Sequence, residues 1–327
     1  MSTVFVMGGT GFIGSETVKE LVRRGDTVYG LARSDNSANK LKALGGIPIK
    51  GDVYDPDAWI KELPEKLDYI INVLGFFNDP KSKRLSVDFS IKCRDKYIVW
   101  AEVLVRIAKE KKVKAAVHVT GTTVYEESGV GWVTEKTPLR YTKNGFNRIA
   151  AWATKLMVDE MKNGLPIIVA VAPNIVYGDV LNASFEQIFV EPLQKGQMTV
   201  VGSGTNYIPT GHVEDVGRAV AFVTDEKYAG EFFLIAGDDS VTQTELLTAI
   251  ASGLGKKSVP HLPHWLISIL GGKVAVEFMT LSQRVDNTKL KQAGFEFKYP
   301  YFAQTIPDIM ASLVRQRQQL SHKLEPA

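Results

Sequence analysis

Apolar residues fall along this chain in two alternating rhythms. Short runs of strand length occur at residues 4–7, 27–32, 69–74, 115–119 and 167–172, and longer amphipathic stretches separate most of them. Residues 12–24 form one such stretch. Residues 97–111 form another, with Ile98, Ala101, Val105 and Ala108 on one helical stripe. Strands that alternate with helices predict parallel βαβ units in a doubly wound α/β sheet. After Gly178 the rhythm gives way to irregular segments and isolated helices, which predicts a second, smaller C-terminal lobe. Residues 213–224 and 232–235 are expected to return to the main sheet. The expected division is therefore 1–178 plus 212–240 for the sheet domain, and 179–211 plus 241–327 for the lobe.

Composition narrows the function classes. With 327 residues and 45% hydrophobic content, the chain can bury a large core as one big domain or two fused lobes. A formal net charge of +3 gives no basis for a nucleic-acid or membrane-surface partner. Cys93 is the single cysteine, so there is neither a disulfide framework nor a thiolate metal cluster, and a reducing cytoplasm is the expected setting. No secretory leader is expected, since the first strand runs straight into glycines. The apolar run at 265–270 is too short to span a bilayer. His261 and His264 flank a proline-containing turn without the carboxylate spacing of a metal site, so no metal is expected.

Gly8, Gly11 and Gly14 form a G-x-x-G-x-x-G series directly after the first strand and at the mouth of the first helix. One glycine permits the tight turn, another lets a pyrophosphate approach the backbone, and the third lets helix and strand pack closely. The phosphates then meet free N–H groups and the positive end of the helix dipole. A plain turn could use the same residues, but the strand–turn–helix setting is the one a dinucleotide fingerprint requires. The motif predicts a Rossmann-type sheet whose cofactor touches Gly8, Thr10, Gly11, Phe12, Ile13 and Gly14. The second strand ends Gly30-Leu31-Ala32-Arg33-Ser34, with no acid until Asp35. A carboxylate there would take the ribose 2′-hydroxyl of NAD, whereas an arginine accommodates a 2′-phosphate. Arg33 offers a planar fork and Ser34 a further donor, so NADP is the expected cofactor; the alternative is a solvated surface arginine. Asp52 and Val53, after the third strand, fall where an adenine-contacting segment would lie, unless Asp52 caps a turn. Asn72 and Gly75, at the end of the fourth strand, are expected to line the cleft.

With these blocks in order, the sequence resembles the extended short-chain dehydrogenase/reductases, the NAD(P)-dependent epimerase/dehydratase-like family, over nearly its whole length. The matching pieces are residues 8–14, 51–53, 173–178 (Pro-Asn-Ile-Val-Tyr-Gly), 201–204, 212–216 and 284–289. The resemblance implies that Thr120, Pro173, Asn174 and Val176 also border the cofactor. It further implies a Ser/Thr after the fifth strand and a Tyr-x-x-x-Lys on the next helix, in which the lysine holds the ribose and lowers the tyrosine pKa. Here the lysine is Lys155, but the tyrosine position holds Ala151 and the serine position falls on Gly121, between Thr120 and Thr122. By this resemblance the chain reads as an atypical member lacking the usual tyrosine. Two arginines frequent in nucleotide-sugar members are replaced by Ala172 and Ile208, which predicts a more apolar pocket, with Trp132, Tyr141, Phe146, Trp152 and Tyr207 as candidate walls or as ordinary core.

Candidates for the missing acid are Thr122, Tyr125, Tyr141, Lys143 and Tyr177, with Tyr141 and Tyr177 first; each could instead be structural. His118 reads as a core histidine and His212 as a residue fixing the start of the returning helix. Reduction of a conjugated C=C needs a stabilised enolate more than an immediate proton. The expected function is therefore NADP(H)-dependent reduction or isomerisation of an apolar carbonyl or enone small molecule. Two alternatives stand beside it: a non-catalytic NADP(H)-binding sensor or complex subunit, as in relatives that lost the tyrosine, and a nucleotide-sugar epimerase or dehydratase. Family members often pair through the helices at about 97–111 and 147–161, which leaves a homodimer open to this chain.

Overall fold

The protein was analysed as a computed structural model that describes residues 1–75, 87–141 and 148–324. The chain runs β1 (Thr3–Met7), α1 (Phe12–Arg23), β2 (Thr27–Ala32), α2 (Asp35–Ala43), β3 (Ile47–Lys50) and β4 (Tyr69–Asn72). It continues through α3 (Val87–Lys111), β5 (Ala115–Gly121), β6 (Trp132–Val133), α4 (Arg148–Lys162), β7 (Ile167–Ala172) and β8 (Ile175–Tyr177). A turn of π-helix at Glu186–Val190 leads into α5 (Glu191–Gln194), β9 (Val200–Val201), β10 (Tyr207–His212), α6 (Val213–Val223), β11 (Phe232–Leu234) and β12 (Ser240–Thr242). The last elements are α7 (Gln243–Gly253), β13 (His261–Leu262), α8 (His264–Gly271), α9 (Lys273–Thr280), β14 (Arg284–Val285), α10 (Thr288–Gln292) and α11 (Phe302–Leu324).

Seven strands form one parallel sheet in the order β11-β7-β5-β4-β1-β2-β3. The apolar runs become strands because both faces of the sheet are covered, so every position along β1 or β7 meets a helix. Successive side chains alternate between the two layers. Phe5 and Met7 pack with Trp100, Leu104 and Ile107 of α3 and Ala153 and Met157 of α4. Val4 and Val6 face the other way, onto Val18 and Leu21 of α1 and Val216 and Val220 of α6. Strand order reverses at β1, whose neighbours are β2 and β4. A doubly wound sheet opens its ligand crevice at that switch point, beyond the carboxyl ends of the strands.

The C-terminal half builds a third core from Tyr177, Phe185, Phe189, Leu246, Leu247, Ile250, Phe302 and Met310. It carries a three-stranded sheet, β12-β10-β8. Leu290 and Phe295 leave that half and pack with the main sheet. The fourth strand stops at Asn72 rather than at residue 74, because Asn72 Oδ1 accepts the Leu74 N–H at 3.2 Å and turns the chain away. Helix α3 begins at Val87, ten residues ahead of the amphipathic stripe, since Ser90 and Cys93 are also buried. Residues 213–224 and 232–235 do return to the sheet side, as α6 and β11. Among the described residues no helix is long and apolar enough to cross a membrane.

Candidate functional site

A cavity of about 370 Å³ opens at the carboxyl ends of β1, β4, β5 and β7. Its floor is the glycine turn. Gly11 N–H donates to Gly8 O at 2.9 Å, and α1 starts at once, so its first N–H groups have no partner inside the helix and face the crevice. Two glycines are required by geometry. Gly8 has φ +90°, and a Cβ there would stand 2.9 Å from Leu74 N; a Cβ on Gly14 would stand 2.0 Å from Gly8 O. Gly8 and Gly14 thus let the turn pack against β4 and against α1 and do not themselves line the cavity; Gly11, beside the first N–H groups of α1, does, and that end fits a dinucleotide pyrophosphate.

The structure brings Thr10, Gly11, Phe12, Ile13, Gly75, Thr120, Pro173, Asn174 and Val176 together on the cavity wall. Other expected residues stand elsewhere. Arg33 and Ser34 are exposed beyond the end of β2, and Ser34 serves as the N-cap of α2, accepting the Ser37 N–H at 3.2 Å. Asp52 closes a turn, its Oδ1 accepting the Tyr54 N–H at 3.1 Å, while Val53 is buried in the core. Asn72 is buried with its amide 3.5 Å from His118 Nδ1.

The candidate acids are dispersed. Tyr177 is buried in an aromatic cluster, with ring centroids 5.0 Å from Phe302 and 5.5 Å from His212, and burial pushes its phenol well above the usual range. Tyr141 is partly exposed outside the cavity; burial raises its pKa and the nearby Lys155 lowers it. Lys155 is half-exposed and directs its amine to Asp159 Oδ2 at 2.5 Å, a bond that raises the lysine pKa and lowers that of the aspartate. The amine is thus spent within α4 and does not reach the cavity. The α4 residues that do are Ile149 and Ala150, and Ala151 is fully buried. Thr122 is fully buried and bonds Asn174 Oδ1 at 2.6 Å. Tyr125 is buried, its phenol raised chiefly by burial. Lys143 and Phe146 lie outside the described residues.

The walls also differ from expectation. Trp132 is half-exposed with the Arg284 guanidinium 4.2 Å from its ring centre, and Tyr207 lies 5.0 Å from the same group. Neither these rings nor Trp152 line the cavity; its apolar half is made by Phe12, Tyr97, Leu181, Phe185, Ile188, Phe189 and Phe278. Ile188 and Phe189 sit on the π-helical turn. Pro192, at the second position of α5, has no N–H to return to Ile188, and the preceding turn is correspondingly widened. Lys40 is the one charged residue among the described lining residues, and its amine donates to Thr10 O at 2.7 Å. The sequence held little sign of it, since α2 is a short polar helix without a motif.

A Rossmann sheet with a glycine-cradled crevice at its switch point defines a dinucleotide-binding α/β protein. The model of the NAD dependent epimerase/dehydratase family matches residues 4–236, and the chain belongs to that family. Residues 262–309 match a domain of unknown function (DUF1731). Among curated proteins, the epimerase family protein SDR39U1 of Bos taurus is 23% identical over 313 residues, covering 94% of this chain and 99% of that one. A 4-hydroxy-2-methyl-3-oxo-4-farnesyl-3,4-dihydroquinoline-1-oxide ketoreductase of Stigmatella aurantiaca is 24% identical over 262 residues, 79% of this chain and 75% of its own. Among solved structures, human SDR39U1 with NADPH superimposes with a TM-score of 0.71 at 20% identity, covering 94% and 99% of the two chains. The dTDP-glucose 4,6-dehydratase of Bacillus anthracis in complex with NAD gives 0.75 at 20%, covering 97% and 98%.

Proposed function

We propose that the protein is an NADP(H)-dependent oxidoreductase or isomerase acting on an apolar carbonyl compound, with a conjugated enone favoured over a simple ketone. The composition of the cavity carries this reading. One end is the glycine cradle and the other is a chamber of Tyr97, Leu181, Phe185, Phe189 and Phe278, with Lys40 the only charge among its described lining residues. A nucleoside diphosphate needs charge-assisted donors at the substrate end. Ala172 and Ile208, where sugar-handling relatives often carry arginine, are buried and apolar. The Stigmatella relative's name, a ketoreductase of a farnesyl-bearing quinoline oxide, supports an apolar ketone or enone in the same place.

NADP is favoured over NAD by Arg33 at the end of β2, by the absence of a carboxylate before Asp35, and by the engagement of Asp35 with Lys50 at 2.5 Å. The human relative's structure contains NADPH, although the dehydratase contains NAD. When bound, a nicotinamide supplies or accepts a hydride. The chain's own part is to hold the pyrophosphate on the α1 N-terminus, to border the nicotinamide with Gly75, Thr120 and residues 173–176, and to pack the substrate's hydrocarbon in the aromatic chamber. With Ala151 in place of the tyrosine, the helix supplies no proton there, and an enolate can wait for one from water. Tyr97 is the one tyrosine among the described lining residues.

A second reading, cofactor binding without turnover, is favoured by Ala151 and by the Lys155–Asp159 pair. Fluorescence titration with NADPH and NADH, using wild type, Arg33→Ala and Lys155→Ala, tests the cofactor; consumption of bound NADPH against a panel of enones and ketones then separates the two readings. NADPH preference lost in Arg33→Ala, followed by enone-dependent oxidation, supports the enzyme. Tight NADPH binding with no consumption by any carbonyl supports the second reading. Failure to bind either nucleotide overturns both.

A further inference from the structure

Thr122 and Thr123 are neighbours in one tight turn after β5, yet they face opposite ways. Thr122 points inward: its Oγ1 donates to Asn174 Oδ1 at 2.6 Å, and its carbonyl accepts from the fully buried Gln283 at 2.9 Å. Thr123 lines the cavity, and its Oγ1 lies 3.6 Å from where a Cβ on Gly121 would stand. A hydroxyl therefore sits beside the place that Gly121 leaves bare, supplied from two residues further along. Asn174 also lines the cavity. Because Thr122 holds its amide by the oxygen, the group it offers to a ligand is the NH₂. Gln283 pins the turn from behind, with a longer contact of 3.4 Å to Tyr125 O. The Asn174 amide and the backbone of the turn are thus held before any ligand arrives, the condition under which donors stabilise charge most effectively.

We infer that Thr123 Oγ1 and Asn174 Nδ2 form an oxygen-binding subsite at the inner end of the chamber. Its ligand class is a flat apolar molecule bearing one oxygen that is, or becomes, negatively charged: an enolate or a phenolate. The oxygen sits on the two donors and the hydrocarbon lies against Tyr97, Phe185, Phe189 and Phe278. No carboxylate is among the described lining residues, so nothing there repels that charge or competes for the donors. This inference rests on the reading of the cavity as a substrate site, but its test is independent of turnover.

The probe is 4-nitrophenol, whose ionised form is coloured. It is titrated against pH in the presence of protein, with and without saturating NADP⁺, for wild type, Thr123→Val, Thr123→Ser and Asn174→Asp. Thr123→Val keeps the branched shape and removes only the O–H. The bound probe is expected to ionise at lower pH than the free one. Thr123→Val should shift it back by about one unit, a tenfold change typical of a lost charge-assisted hydrogen bond. Thr123→Ser should restore the shift, and Asn174→Asp should abolish it by placing a carboxylate on the oxygen. Bound probe with the same ionisation in wild type and Thr123→Val overturns the subsite, as does the absence of saturable binding in both nucleotide conditions. Loss of NADP⁺ binding with the probe shift intact would instead overturn the cofactor reading alone.

Discussion

Replacing Gly14 by alanine sets two effects of known sign against each other. Gly14 is a buried residue in the first turn of α1, where helix propensity favours alanine over glycine by at most about 1 kcal/mol. The added Cβ, however, would stand 2.0 Å from Gly8 O, 2.8 Å from Gly8 C and 3.0 Å from Gly9 Cα. All three atoms are backbone, so no side chain can swing aside. Relief requires α1 to move off the β1 turn by about an ångström, and overpacking of this kind costs roughly 1–3 kcal/mol. The obstacle is rigid, so the upper part of that range applies, and the net loss of stability is about 1–2 kcal/mol. The functional loss should be larger than the structural one. The movement separates the helix N-terminus from the Gly8 turn, and these together make the phosphate cradle. A loss of about 1.4 kcal/mol in binding is tenfold in Kd, so NADPH affinity should fall at least tenfold. The matched control is Lys19→Ala, on the exposed face of the same helix and away from the cavity lining. Thermal unfolding and NADPH fluorescence titration on both variants decide the matter. Wild-type affinity in Gly14→Ala, or an equal loss in Lys19→Ala, would refute the close-approach argument.

Three further outcomes follow from individual residues. Asp215 is buried and accepts from Arg218 Nη1 at 2.7 Å and from the backbone N–H groups of Lys298 and Tyr299 at 2.9 and 2.6 Å. Asp215→Ala strands these donors and should cost about 3–5 kcal/mol, read as a lowered urea midpoint. His118 is held neutral by complete burial, its pKa lowered to about 4 from 6.5. Between those values the unfolded chain takes up a proton that the folded one refuses, so stability falls as pH drops through this window, by roughly 3 kcal/mol in all. His118→Gln should flatten that part of the pH–stability curve; an unchanged slope would show that other groups govern it. Tyr177→Phe removes a hydroxyl within an aromatic cluster, so wherever NADPH oxidation is detected its kcat should be unchanged, whereas Tyr97→Phe should alter KM or kcat.

The sheet was legible because its signal is dense. Strands covered on both faces read as unbroken apolar runs, and six of the seven were legible in the sequence, β11 as the returning segment 232–235. Edge strand β3 was not, because its burial is uneven: Ile47 and Lys50 are exposed and only Ile49 is buried. The glycine turn was legible for a related reason. Backbone needs at Gly8 and Gly14 exclude other residues, so composition there reports geometry directly.

Side-chain direction was not legible, and the candidate site depends on it. Thr122 and Thr123 are alike in sequence, and only the tight turn at residues 122–124 sends one into the core and the other into the cavity. Lys155 was expected to hold a ribose, but Asp159 stands one turn later on the same helix and takes its amine. In water such a pair contributes little, about 0.3–0.5 kcal/mol. A ligand offering a pair of ribose hydroxyls could therefore draw the lysine away at small cost. Ala151 differs in kind, since no rearrangement gives an alanine a proton to donate. Arg33 is exposed in the same way, and its side chain can turn toward an anion that arrives. The durable features of this site are those that no rotamer change can alter: the glycine turn, the apolar chamber, and Ala151.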